Sequence, residues 1–158
     1  MKINIGIREE NTQEVSIRLS KLLADEFILY TKTRNAHWNL EGTEFHGLHV
    51  FFEDQFNRLD EMIDSIAERI RAIGHFAPGS LKRFLELTHL SEDDAADNYG
   101  KTFMKNLLED HIAIIIFLRE NIDLFATGYK DYGSSDFLTG LLSVHEKMVW
   151  MLNAHLKG

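Results

Sequence analysis

The sequence predicts an all-α protein: a bundle of four long helices with one long crossover that carries a short extra helix. Apolar residues recur at helical intervals in four long segments of the 158-residue chain. Outside the first seven residues, no run alternates apolar and polar residues between turn dipeptides, as a β-strand would. The single proline, Pro78, lies in a glycine-flanked break that separates the chain into two helical halves.

Two long helices precede this break. The first is predicted from Asn11 to about Leu40, because Asn11 and Glu14 have the spacing of a capping box. The second is predicted from Thr43 to about Ile73. Gly42 lies between them and is typical of a helix C-terminus, so the loop is expected to be short. A short loop makes the two helices antiparallel neighbours.

The second half begins with a short helix in the crossover, Leu81 to Leu87, which Ser80 is expected to cap. A third long helix is predicted from roughly Asn98 to Thr127. The last runs from about Asp136 to His155, after a segment with two glycines. A connection of about 20 residues between the second and third helices can span the length of a bundle. This order of elements is the ferritin-like connectivity.

Composition limits the function classes. A chain of this length with 44% hydrophobic residues predicts one domain, residues 1–158. The absence of cysteine excludes disulfides, thiolate zinc sites and iron–sulfur clusters. The net charge of -8 argues against an electrostatic grip on nucleic acid and favours cations as ligands. With no secretory signal and no apolar run of membrane-spanning length, we expect a cytoplasmic protein without a membrane partner.

Five metal-capable side chains form two clusters on one stretch of the chain. They are His37, His49, Glu53, Asp64 and Glu68, at separations of 12, 4, 11 and 4 residues. His49 and Glu53 are one helical turn apart, as are Asp64 and Glu68, so each pair leaves one helical face. Each residue alone fits ordinary polar surface. Two imidazoles with carboxylates suit ferrous iron, with zinc or manganese able to compete.

The two pairs cannot share an ion within one chain. Fifteen residues of α-helix separate His49 from Asp64 by about 22 Å. A second copy of the helix, antiparallel across a two-fold axis near residues 58 and 59, would create two equivalent sites with ligands from both chains. We therefore predict a homo-oligomer with the site at its two-fold interface. An internal di-iron centre is not expected, because Glu-x-x-His occurs only once, from Glu86 to His89.

The remaining histidines are left outside the site. His46 is one turn from His49 but faces a slightly different direction. The others are expected to be surface, cap or partnered residues: His75, His89, His111, His145 and His155.

The run NAHWNLEGTEFHGLHVFFEDQFNRLDEMIDSIAERIRAIG resembles the Dps family of mini-ferritins. The resemblance lies in His-Trp, the following Gly, Phe and His, and the ending Asp-x-x-Ala-Glu-Arg, and it extends over nearly the whole chain. It implies that the five residues above are inter-subunit ferroxidase ligands, although the position of Glu53 is often Asp in the family. It also implies that ferrous iron is oxidised there, preferably by hydrogen peroxide.

By the same resemblance, ferric mineral collects in a hollow dodecamer and the cell is protected from oxidative stress. Asp123, Asp131 and Asp136 are expected either to line a three-fold entry pore, as in relatives, or to lie in solvated loops.

Two other function classes remain open. One is a nucleoid protein that shields DNA physically. Family members that bind DNA commonly use a lysine-rich tail, whereas here Lys2 and Arg8 are offset by Glu9 and Glu10, so weak or absent DNA binding is expected. The other is a structural four-helix oligomer with a degenerate or zinc-filled site.

Overall fold

The computed structural model describes residues 4–92 and 94–157. Its elements are α1 (Glu9–Asn39), α2 (Phe45–Ala72), α3 (Leu81–Leu87), α4 (Gly100–Asp123), a π-helical turn (Leu124–Gly128) and α5 (Tyr132–Leu156). No strand occurs within these described residues, where pairing is limited to an isolated bridge between Glu41 and Tyr99. The predictions of an all-α fold and of a crossover with a short helix are therefore confirmed. None of the described helices has the length and apolar character needed to cross a membrane.

Two antiparallel pairs make up the bundle. α1 packs mainly against α2, and α4 against α5, while α3 lies against α1. Side chains from all four long helices fill the interior, where burying apolar area supplies the main stabilisation, about 25 cal/mol per Å². Fully buried examples are Leu29, Phe52, Leu59, Ile114 and Leu138. The apolar stripe of α2 faces this interior, which leaves its other faces for polar chemistry.

The short α1–α2 connection is confirmed. Gly42 has φ +119°, a left-handed conformation that glycine adopts without strain. The Leu40 N–H still donates to the Ala36 carbonyl, and the Phe45 N–H donates to the carbonyl of Gly42. The last turn of α1 therefore lies directly beside the first turns of α2.

The predicted capping box at the start of α1 was wrong. The helix begins two residues earlier, at Glu9, and Arg8 occupies the N-cap position without a side-chain cap. The amide of Asn11 instead donates to the Tyr129 carbonyl at 3.0 Å, across the bundle. A tertiary contact thus takes the group that the local pattern assigned to capping. The Ser80 cap of α3 is confirmed, since its Oγ accepts from the Arg83 N–H at 3.3 Å.

The boundary between α4 and α5 also differs from the prediction. Regular α-helix ends at Asp123, and α5 begins at Tyr132, four residues before the predicted start. Asp131 sets this start, because its carboxylate accepts from the backbone N–H and the hydroxyl of Ser134, at 2.9 and 2.6 Å. Asp131 is only 1% exposed, so it neither lines a pore nor sits in a solvated loop.

Candidate metal centre

The two site histidines stack on one another. His37 lies in the last turn of α1 and His49 in the second turn of α2. Their ring centroids are 3.7 Å apart, and the ring planes differ by 15°. The tight connection at Gly42 places them together, although 12 residues separate them in sequence.

Each ring donates to the backbone of the other residue. His37 Nδ1 lies 2.7 Å from the His49 carbonyl oxygen, and His49 Nδ1 lies 2.8 Å from the carbonyl oxygen of His37. A carbonyl oxygen only accepts, so both Nδ1 atoms carry hydrogen. In the neutral rings the lone pair is then on Nε2, which is the tautomer that binds a metal. Orientation of a ligating imidazole by such a bond is a regular property of metal sites.

Aromatic side chains hold the stacked pair on both sides. Phe45 stacks on His49 with centroids 5.0 Å apart, and Phe56 meets His37 edge-on at 5.1 Å. The guanidinium of Arg34 lies over the Phe56 ring, 4.1 Å from its centroid. These contacts limit rotation of both imidazoles and keep the Nε2 atoms in one orientation.

The three carboxylates are exposed and unpaired on the surface of α2 in the described structure. Glu53, Asp64 and Glu68 are exposed, and no other described residue forms a hydrogen bond or an ion pair with them. Within the described part of one chain, no three potential ligands converge into a metal-holding group. The structure therefore brings His37 and His49 together and leaves the distal acid pair apart from them in the single chain.

Arg69, which follows Glu68, anchors the C-terminal part of α2 to another helix. Arg69 donates from Nε to the Ser134 hydroxyl at 2.9 Å, and its Nη2 lies 3.3 Å from Asp131 Oδ1. Gly133 makes room for it, since a Cβ there would lie 2.8 Å from Arg69 Nη2. The arginine thus joins the acid-bearing turn of α2 to the start of α5. No local sequence pattern predicted that Arg69 would bond to Asp131 and Ser134, because more than 60 residues separate them.

The isolated Glu-x-x-His motif serves the crossover. His89 lies 3.2 Å from Asp25 through Nδ1, and Asp25 also accepts from the His89 N–H and from the Thr88 hydroxyl, both at 2.6 Å. Glu86 pairs with Arg83 at 2.9 Å. Glu86 therefore pairs within α3, and His89 bonds to Asp25 of α1.

Four long helices with a long crossover define the class of ferritin-like proteins, and the comparisons agree with it. The ferritin-like domain model matches residues 18–158. A DNA protection during starvation protein 2 of Bacillus anthracis is 35% identical, over 92% of this chain and 98% of its own. An uncharacterized low temperature-induced protein of Nostoc is 38% identical, over 99% of this chain and 88% of its own.

Solved structures narrow the class further. The Dps protein of Vibrio cholerae, described as a member of a superfamily of ferritin-like diiron-carboxylate proteins, superposes with a TM-score of 0.91 at 30% identity, covering 99% of this chain and 98% of that one. The chain belongs to the Dps family.

Proposed function

We propose that this protein oxidises ferrous iron at a centre shared between two chains and stores the ferric product inside an oligomeric shell. The observation that carries the proposal is the reciprocal bonding of His37 and His49, which fixes both Nε2 atoms as lone-pair donors. The Vibrio cholerae Dps protein is described as a ferritin-like diiron-carboxylate protein, which supports iron chemistry for this chain.

The centre takes its ligands from two copies. His37, His49 and Glu53 come from one chain, and Asp64 and Glu68 come from a second copy across a two-fold axis. The distance along α2 supports this division, because about 22 Å of helix separates His49 from Asp64 within one chain. Two imidazoles suit ferrous iron, and carboxylates bind more strongly as the ion becomes ferric. Zinc and manganese compete for the same ligand set.

Iron here is the substrate. Two ferrous ions supply two electrons, and one hydrogen peroxide with two protons accepts them to give two waters. Hydrolysis of the ferric ions then releases protons and deposits mineral. Because iron and peroxide are consumed together, the reaction suppresses hydroxyl-radical formation and protects against oxidative stress. A dodecameric shell in the cytoplasm completes the proposal, as the resemblance to the Dps family implies. The net charge of -8 favours the approach of cations.

The test is oxidation of ferrous iron by peroxide, followed by ferric absorbance. Asp64→Ala with Glu68→Ala should slow the reaction well beyond tenfold, since even groups that merely orient a ligand contribute about 10–100-fold to metal affinity or activity. The matched control, Glu109→Ala with Glu120→Ala, removes two exposed carboxylates from α4 and should react like the parent. Equal rates in all three proteins would refute the ligand assignment. Replacing peroxide by dioxygen in the parent tests the preferred oxidant.

A further inference from the structure

Three polar side chains form a hydrogen-bonded chain in the centre of the bundle. His145 Nε2 of α5 lies 2.6 Å from Glu26 Oε1 of α1, and His145 Nδ1 lies 2.8 Å from His111 Nδ1 of α4. All three residues are completely buried. Both histidines were expected from the sequence to be surface, cap or partnered residues. They are partnered with each other, in the interior.

The arrangement is linear. The two nitrogens of His145 flank one ring carbon and point away from each other, so Glu26 and His111 contact different atoms and do not converge on one ion. Among the described residues, Glu26 Oε2 and His111 Nε2 have no protein partner, and these two atoms form the ends of the chain. This geometry suits the binding of protons rather than of a metal ion.

A buried carboxylate is stabilised by a neighbouring cation. An unpaired charge is strongly disfavoured in the interior, and the group that reaches Glu26 is His145. When the pair is ionised, His145 Nε2 donates to the carboxylate of Glu26 and His145 Nδ1 donates to His111 Nδ1. His111 must then be neutral to accept. Burial lowers the pKa of His111 well below its ordinary value, and the adjacent charge of His145 lowers it further.

Among the described residues, no lysine or arginine forms a hydrogen bond or an ion pair with Glu26, His145 or His111. On α1, Lys32 lies 2.5 Å from Asp110 of α4, so the acid next to His111 is already paired. Asp25 of α1 is engaged by Thr88 and His89 of the crossover. The π-helical turn, LFATG, has no titratable side chain.

We propose that Glu26, His145 and His111 are an acid-sensitive lock that joins α1, α5 and α4 and opens when one more proton enters. That proton would reside on His111. Two imidazolium rings would then face each other with Nδ1–H groups across 2.8 Å, so the hydrogen bond would be lost and α4 and α5 would repel. The lock is independent of the proposed iron centre, and its test needs no iron.

The sign of the pH dependence follows from the lowered pKa of His111. In the unfolded chain the imidazole takes up its proton near pH 6.5, whereas the folded protein resists until a lower pH. Above pH 6.5 this residue leaves stability unchanged. As pH falls below 6.5, the unfolding equilibrium constant rises about tenfold per pH unit for this one proton, until the lowered pKa of His111 is reached.

The experiment is denaturant unfolding of the full protein between pH 7.5 and 5, at one protein concentration. The logarithm of the unfolding equilibrium constant should depend less steeply on pH in His111→Gln, by about one proton. The constant of this variant therefore changes up to tenfold less per pH unit than that of the parent. His46→Gln, at an exposed histidine, should keep the parental slope. An unchanged slope in His111→Gln would overturn the proposal.

If His111→Gln does not fold, nitrogen NMR of the parent with ¹⁵N-labelled histidine decides the question. The proposal expects one imidazole that remains neutral well below pH 6.5 and is coupled through Nδ1 to an imidazolium. Titration of all eight histidines near 6.5 would overturn it.

Discussion

His37 and His49 each donate an Nδ1 hydrogen to the backbone carbonyl oxygen of the other, at 2.7 and 2.8 Å. The two bonds join the end of α1 to the start of α2 and set the tautomer of both rings. Ligand orientation therefore comes from the same contacts that hold the helix junction. Phe45 and Phe56 pack against the two rings and keep the Nε2 atoms in that orientation.

Replacing His49 with alanine should weaken metal binding at least about tenfold. The His49 carbonyl remains in this variant and still accepts from His37, so the loss reports one missing ligand rather than a disordered partner. Titration with cobalt(II), followed by its visible absorbance, measures the affinity. His46→Ala removes an exposed histidine one turn away and serves as control. If both variants bound cobalt equally, His49 would not be a ligand.

Mixed oligomers should recover activity that neither parent variant has. A dimer of one His49→Ala chain and one Asp64→Ala, Glu68→Ala chain contains one intact site and one doubly damaged site, if each site takes ligands from both copies. Random co-assembly makes half of the dimers mixed, so about a quarter of the sites should be intact. Ferric absorbance after co-refolding measures this fraction. An intrachain centre would show no recovery.

Two glycines of α5 should respond oppositely to alanine. A Cβ at Gly133 would lie 2.8 Å from Arg69 Nη2, whereas a Cβ at Gly140 meets nothing within 4 Å. Gly140→Ala should raise the free energy of unfolding by about 1 kcal/mol through helix propensity. Gly133→Ala should lower it, because displacing Arg69 from the buried Asp131 forfeits hydrogen bonds to a charged group, about 1.5–3 kcal/mol.

Chemical denaturation of both alanine variants beside the parent measures the difference. Equal stabilisation by the two substitutions would show that the Arg69 contact with Asp131 contributes nothing.

DNA binding should be weak or absent at about 150 mM salt. The chain carries 17 basic and 25 acidic side chains, so few phosphate contacts are available for counterion release. A plasmid gel shift measures this directly, and titration of salt downward distinguishes weak from absent binding. A complete shift at physiological salt would restore the DNA-shielding alternative, which the names of several relatives suggest.

Local sequence patterns and tertiary contacts differ most at the helix ends and in the interior. Asn11 and Glu14 have ideal capping spacing, yet Asn11 bonds to Tyr129 across the bundle, because a distant carbonyl competed successfully for the amide. Asp131 looked like a loop acid and is instead a buried helix cap. His111 and His145 are 34 residues apart on separate helices, so no local pattern could pair them.

By itself, the sequence determined the all-α class, the short crossover helix and the family, since helical periodicity and the signature motif are properties of neighbouring residues along the chain. It also determined that His49 and Asp64 cannot meet in one chain, because helical rise depends only on their separation. The tertiary structure alone decided the imidazole tautomers and the buried chain of Glu26, His145 and His111. Those depend on which backbone carbonyl or side chain of another helix lies within hydrogen-bond distance, and packing controls that distance.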